Sequence, residues 1–118
     1  MNALTDSEEK IAEIVWANPG ISSMETVRIC NDRYGWKKST VFTLLKRMTL
    51  KEMVILENSR LIMTVSKEDY DHAKTSKIVD DGFGGSLPGF LNAFLKDRRL
   101  SEEELEELEQ LIRKYKED

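Results

Sequence analysis

The 118-residue chain holds one cysteine, one histidine and two prolines, and each shortage removes a class of protein. Cys30 alone cannot form an internal disulfide, which fits a reducing compartment and a fold held by its own core. With His72 the single imidazole, neither a His-based metal cluster nor an ordinary structural zinc site can be assembled, so no metal or cofactor is expected. No apolar run approaches the roughly 20 residues that span a bilayer. The opening residues, MNALTDSEEK, have neither a basic n-region nor an apolar h-region. A cytoplasmic protein with no membrane partner is the expectation. A nucleophile–base pair, a strand-to-helix phosphate loop and metal-ligand spacing are missing as well, so no enzyme is expected. Asp80-Asp81 and Glu102-Glu103-Glu104 read as helix-end charge.

What is present is charge, unevenly placed. Hydrophobic residues make up 40% and charged residues 34% of the chain, which suits a modest core under a large charged surface. The net charge is -4, but residues 1–65 carry nine Lys/Arg against eight Asp/Glu, and residues 66–118 carry nine against fourteen. Between Arg33 and Lys51 there are six basic residues and no acidic one. A helix starting near Lys38 or Ser39 places Val41, Leu44, Leu45 and Met48 on one face. Its other face carries Ser39, Phe42, Thr43 and Lys46, with Thr40 and Arg47 on the flanks and Lys37 and Lys38 at the start. Cations, hydroxyls and one ring are what a DNA major groove reads. An ordinary amphipathic helix with solvated lysines has the same pattern, so the neighbouring elements decide.

In chain order, Thr5 and Glu8 form a capping box for a first helix with Ile11, Ile14 and Val15 inward, ended by Asn18-Pro19-Gly20. Ser22 or Ser23 caps a second, with Glu25 completing a box with Ser22. Met24, Val27, Ile29 and Cys30 are its inward residues, and it stops near Tyr34-Gly35. The basic stretch is the third helix, and Trp36 stands at the turn before it, placed either between helices or with its N–H near a phosphate. After Met53 the period becomes 2: Val54–Glu57 and Arg60–Val65 flank Asn58-Ser59 as a hairpin. Arg60 falls on this wing, near a phosphate or guarding a sheet edge. The fold class is therefore mainly α with a small β-hairpin, a winged helix-turn-helix over residues 1–66. Residues 67–118 form a helical dimerisation region. In it, a fourth helix runs from Ser66 to a break at Asp81–Ser86. A fifth carries the stripe Leu87, Phe90, Leu91, Phe94, Leu95. A sixth, boxed by Ser101 and Glu104, carries Leu105, Leu108, Ile112 and Tyr115 at coiled-coil spacing. Such stripes must be covered, either by the first half of the chain or by a second copy. The long fourth helix and the GFGG joint favour a second copy, which would present two third helices to a palindromic duplex.

Trp36-Lys-Lys-Ser-Thr-Val-Phe-Thr-Leu-Leu-Lys-Arg-Met, the hairpin and Leu100-Ser-x3-Leu-Glu-Glu-Leu-x2-Leu-Ile resemble the penicillinase-repressor family of winged-helix transcriptional regulators. The resemblance covers essentially the whole chain and is most specific from Trp36 to Arg47. It implies a homodimeric repressor on a double-stranded DNA operator, with Thr40, Thr43, Lys46 and Arg47 facing DNA. In β-lactam-responsive relatives a sensor-linked protease cuts an Asn-Phe bond in the dimerisation region. The corresponding sequence here is Leu91-Asn92-Ala93-Phe94, which puts the matching bond at Ala93 and Phe94, with a core role for Phe94 as the other reading. Copper-sensing relatives carry C-x-C pairs near the C-terminus, and this chain has no cysteine beyond Cys30. The glycine usual after the third helix is Glu52, which implies a longer helix or an end without a left-handed cap. A winged helix used only for protein contact is the competing class.

Overall fold

The protein is described by a computed structural model over residues 3–116. Helix α1 (Asp6–Ala17) starts on the expected box: the Thr5 hydroxyl accepts the Glu8 N–H at 3.2 Å, and Glu8 Oε1 accepts the Thr5 N–H at 2.8 Å. Glu8 is also fully buried and ion-paired with Lys51, beyond the end of the third helix. Burial acts to raise its pKa, but the Lys51 and Thr5 hydrogen bonds outweigh burial and hold the carboxyl below its ordinary value.

Helix α2 (Ser23–Tyr34) is capped by Ser22, whose hydroxyl accepts the Glu25 N–H at 3.1 Å. The box is not completed, because the Glu25 carboxylate turns to Arg28 instead. Met24, expected inward, is 54% exposed, and Thr26 and Cys30 are the buried residues of this helix. Thr26 can be buried because its hydroxyl donates to the Ser22 carbonyl at 2.9 Å. Gly35 ends the helix at φ +68°, where a side chain would be strained.

Helix α3 (Lys38–Leu50) buries Val41, Leu44, Leu45 and Met48, the face its spacing marks out. Its end departs from expectation. The helix does not run on, and it does have a left-handed cap: Glu52 sits at φ +61°. The Glu52 N–H donates to Thr49 O at 2.9 Å and the Met53 N–H to Met48 O at 3.0 Å, the paired bonds of a Schellman turn. Met48 and Met53 are both buried and supply its apolar contact.

Strands β1 (Val54–Glu57) and β2 (Arg60–Met63) pair antiparallel, with Glu57 opposite Arg60. Asn58 and Ser59 both have positive φ, 52° and 63°, as a two-residue turn between right-twisted strands requires. The second strand stops at Met63, short of Val65. Its other edge carries a pairing that local patterning does not reveal: Gly20 N–H donates to Leu61 O, and Leu61 N–H to Ile21 O at 2.8 Å. The turn after α1 thus anchors the wing. Ile11, Ile14, Val15, Cys30, Val41, Met48, Met53, Val54 and Leu61 make one core.

Helix α4 (Lys67–Phe83) is latched to α1 through its first two turns. Tyr70 Oη donates to Glu9 Oε2 at 2.8 Å, and Lys74 pairs with the same carboxylate. Lys67 pairs with Glu13, and Trp16 Nε1 donates to Val65 O at 2.9 Å. The helix continues through Gly82 and Phe83 where a break was expected, and the chain turns at Gly84 and Gly85. The chain divides into two compact units between Lys77 and Ile78, inside this helix. In the second unit, α5 (Leu87–Leu95) is capped by Ser86 with Pro88 in its first turn, and α6 (Glu102–Lys114) by the Ser101–Glu104 box. Phe90 meets Phe83 edge-on at 5.6 Å and stacks on Phe94 at 5.9 Å. Neither α5 nor α6 contains a buried residue.

Candidate nucleic-acid interface

Every outward position of α3 that the sequence marks out is exposed. Lys37 is the N-cap, without a side-chain cap bond, and Lys38, Ser39, Thr40, Phe42, Thr43, Lys46 and Arg47 follow on the surface. The first turn contains no carboxylate. Its backbone N–H groups therefore add positive potential to the lysines beside them. The Phe42 ring is 38% exposed, and Lys38 Nζ lies 5.6 Å from its centroid. Thr43 Oγ1 donates to Ser39 O at 2.9 Å, so its hydrogen is engaged and its lone pairs face outward as acceptors. Lys46 and Arg47 stand one turn further along.

The turn leading into this helix is fixed from behind. Asn31 Nδ2 donates to Trp36 O at 3.2 Å, and the Trp36 ring packs on the core and on Tyr34, with centroids 4.8 Å apart. The Trp36 ring thus makes the packing contact that is one of its two expected placements. Lys10 of α1 lies over both rings, a neighbour that no helical pattern on α1 advertises.

Arg60 opens β2, exposed, on a different element from the other eight DNA-facing candidates. Its guanidinium turns back to donate to Gly20 O at 3.2 Å. It borders a shallow cleft of about 450 Å³ with Ser22, Asn58 and Ser59, beside the start of α2. Cys30 is buried, and burial pushes its thiol pKa up, which leaves it unreactive.

In the second unit Leu87, Phe94, Leu105, Ile112 and Tyr115 are exposed, and Phe90, Leu91 and Leu108 are half-buried. Leu111, which falls outside the four-residue seam of α6, is 51% exposed and widens the apolar face. Ala93 and Phe94 lie on the surface of α5, in helical conformation. Among the described residues no group of His, Cys, Asp and Glu could hold a metal ion, and no helix is long and apolar enough to cross a membrane.

A three-helix core, a hairpin wing and a carboxylate-free basic helix define a winged-helix protein of the transcription-regulator class. Comparison with known proteins narrows this. The family model described as penicillinase repressor matches residues 4–114, and the chain belongs to that family of transcriptional repressors. It is 22% identical over 117 residues to the penicillinase repressor of Bacillus licheniformis, covering 96% of this chain and 91% of that protein. To the penicillinase repressor of Staphylococcus aureus it is 27% identical over 110 residues, covering 90% of this chain and 87% of the other.

Proposed function

We propose that the protein binds double-stranded DNA as a homodimer, one α3 in the major groove of each half of a palindromic operator, and represses transcription there. The observation that carries this reading is the exposed face from Lys37 to Arg47: four cations, three hydroxyls, one ring and no carboxylate. Lys37 and Lys38 meet phosphates at the start of the helix and position it. Thr43, Lys46 and Phe42 reach base edges, the ring against a thymine methyl, and Ser39, Thr40 and Arg47 border them. Arg60 on the wing adds a phosphate contact once its guanidinium leaves the Gly20 carbonyl.

Homodimerisation is supported by the exposed apolar faces of α5 and α6, Leu87, Phe90, Leu91 and Phe94 with Leu105, Leu108, Ile112 and Tyr115. Release follows an upstream signal. A sensor-linked protease acting at Ala93 and Phe94 is one form of it; because that segment is helical, α5 would have to unwind locally before cleavage. Use of the winged helix for protein contact alone has less behind it, since such a surface has no need of a third helix free of carboxylates.

Salt and substitution test the reading together. Affinity for duplex DNA should fall steeply with salt, log K dropping by about 0.9 per phosphate neutralised for each unit of log salt. Lys38→Ala should weaken specific and mixed-sequence DNA alike. Thr43→Ala or Lys46→Ala should weaken the operator selectively, by about 1–3 kcal/mol per lost base contact. Binding that is flat in salt, measured by gel shift, would remove DNA as the ligand.

A further inference from the structure

Trp36 is the residue immediately before the N-cap of α3, and a lysine from another helix lies over it. Lys10 Nζ is 4.9 Å from the Tyr34 ring centroid and 5.9 Å from that of Trp36. The two rings are packed on the core and on each other, so the platform under the ammonium is fixed. Lys10 itself is exposed. Among the described residues no carboxylate lies within ion-pair distance of it. Of the two acids one turn away from it on α1, Glu13 is paired with Lys67, and Asp6 makes no ion pair with it.

We propose that Lys10 is a phosphate-contacting residue of the DNA interface, delivered by α1 to the N-terminal end of α3. The inference rests on the DNA-binding reading above and extends it to an element outside the helix-turn-helix. An exposed cation–π contact is worth only about 0.5–1 kcal/mol, a small contribution to folding. It is enough to restrict where a flexible ammonium sits. A lysine already held over Trp36, the residue before Lys37, loses little further freedom when a phosphate arrives, whereas a free surface lysine loses more. The α4 latch contributes by holding Glu13, one turn from Lys10 on α1, against Lys67.

Lys10→Met retains an apolar stem over the rings and removes the charge. Binding of the full-length protein to a mixed-sequence duplex, measured across a salt series, should show a slope shallower by about 0.9 for each lysine lost from the interface. The same loss should be seen with the duplex from upstream of the protein's own gene, because a phosphate contact does not read sequence. Lys10→Arg should retain the wild-type slope. A urea midpoint for each variant checks the fold, and Lys10→Gln replaces Lys10→Met if that midpoint moves. An unchanged slope for the folded charge-free variant, with wild type steep and Lys38→Ala shallower, would overturn the role of Lys10 and leave the DNA reading standing. A flat wild-type curve would overturn both.

Discussion

The two units of the chain solve the problem of apolar surface in opposite ways. All of the buried hydrophobic residues, from Leu4 to Tyr70, lie in residues 1–77. There three helices and a hairpin cover one another, and even the polar Glu8 and Thr26 are buried with partners. In residues 78–118 the amphipathic pattern is at least as regular, yet Ile112 is 59% and Tyr115 75% exposed. Periodicity states which face of a helix needs covering, not what covers it. The first unit has its cover within itself, and the second carries faces suited to a partner copy.

The difference can be broken from either side. Met48→Ala in the first unit should cost about 2–5 kcal/mol, because a buried side chain at the α3 end is lost and the Met53 contact with it. Trp16 and Trp36, the only tryptophans, both lie in that unit, so urea unfolding followed by tryptophan fluorescence reads it directly. A shift below about 1 kcal/mol would mean that the site collapses around the deletion or is loosely packed. Ile112→Asp in the second unit removes nothing from its own core, and its effect should appear only in self-association. In the proposed dimer, a charge placed in the α6 seam should weaken association about a hundredfold, with the tryptophan transition unmoved. Sedimentation equilibrium is the measurement. A variant that associates like wild type would shift the pairing surface to the Phe90 and Phe94 stripe.

What could be read in advance follows the same division between local and non-local causes. The boxes Thr5–Glu8 and Ser101–Glu104 and the two-residue turn at Asn58-Ser59 depend on residues three or four apart, and they form as the sequence implies. The inner face of α3 was equally legible, since four apolar residues at helical spacing leave one solution. Met24 was misplaced because an apolar side chain was favoured over Thr26, whose hydroxyl is satisfied inside its own helix turn. The pairing of Gly20 and Ile21 with Leu61, and the seat of Lys10 on Tyr34 and Trp36, join residues far apart in the chain and leave no mark on local periodicity. The site was visible where it coincides with one helix. The proposed extension of that site to Lys10 of α1 was not.

The end of α3 offers the finest comparison between the units, because each contains a charged residue in the left-handed region after a helix: Glu52 at φ +61° and Asp97 at φ +61°. An L side chain there costs about 1–2 kcal/mol relative to right-handed backbone. Glycine removes that strain but gives up about 0.5–1 kcal/mol to the greater freedom of the unfolded chain. Glu52→Gly should therefore stabilise the first unit by about 0.5–1 kcal/mol, with the Schellman bonds to Thr49 and Met48 intact and DNA binding unaltered. Asp97→Gly makes the same backbone change in the second unit, where Arg98 N–H donates to Leu95 O at 2.9 Å. If the units hold their structure independently, the Asp97 variant leaves the tryptophan-monitored urea midpoint where it was. If both substitutions raise that midpoint equally, the units unfold as one and the contrast between them belongs to burial alone. If Glu52→Gly lowers it, the Glu52 side chain has a favourable contact that outweighs the strain of its backbone.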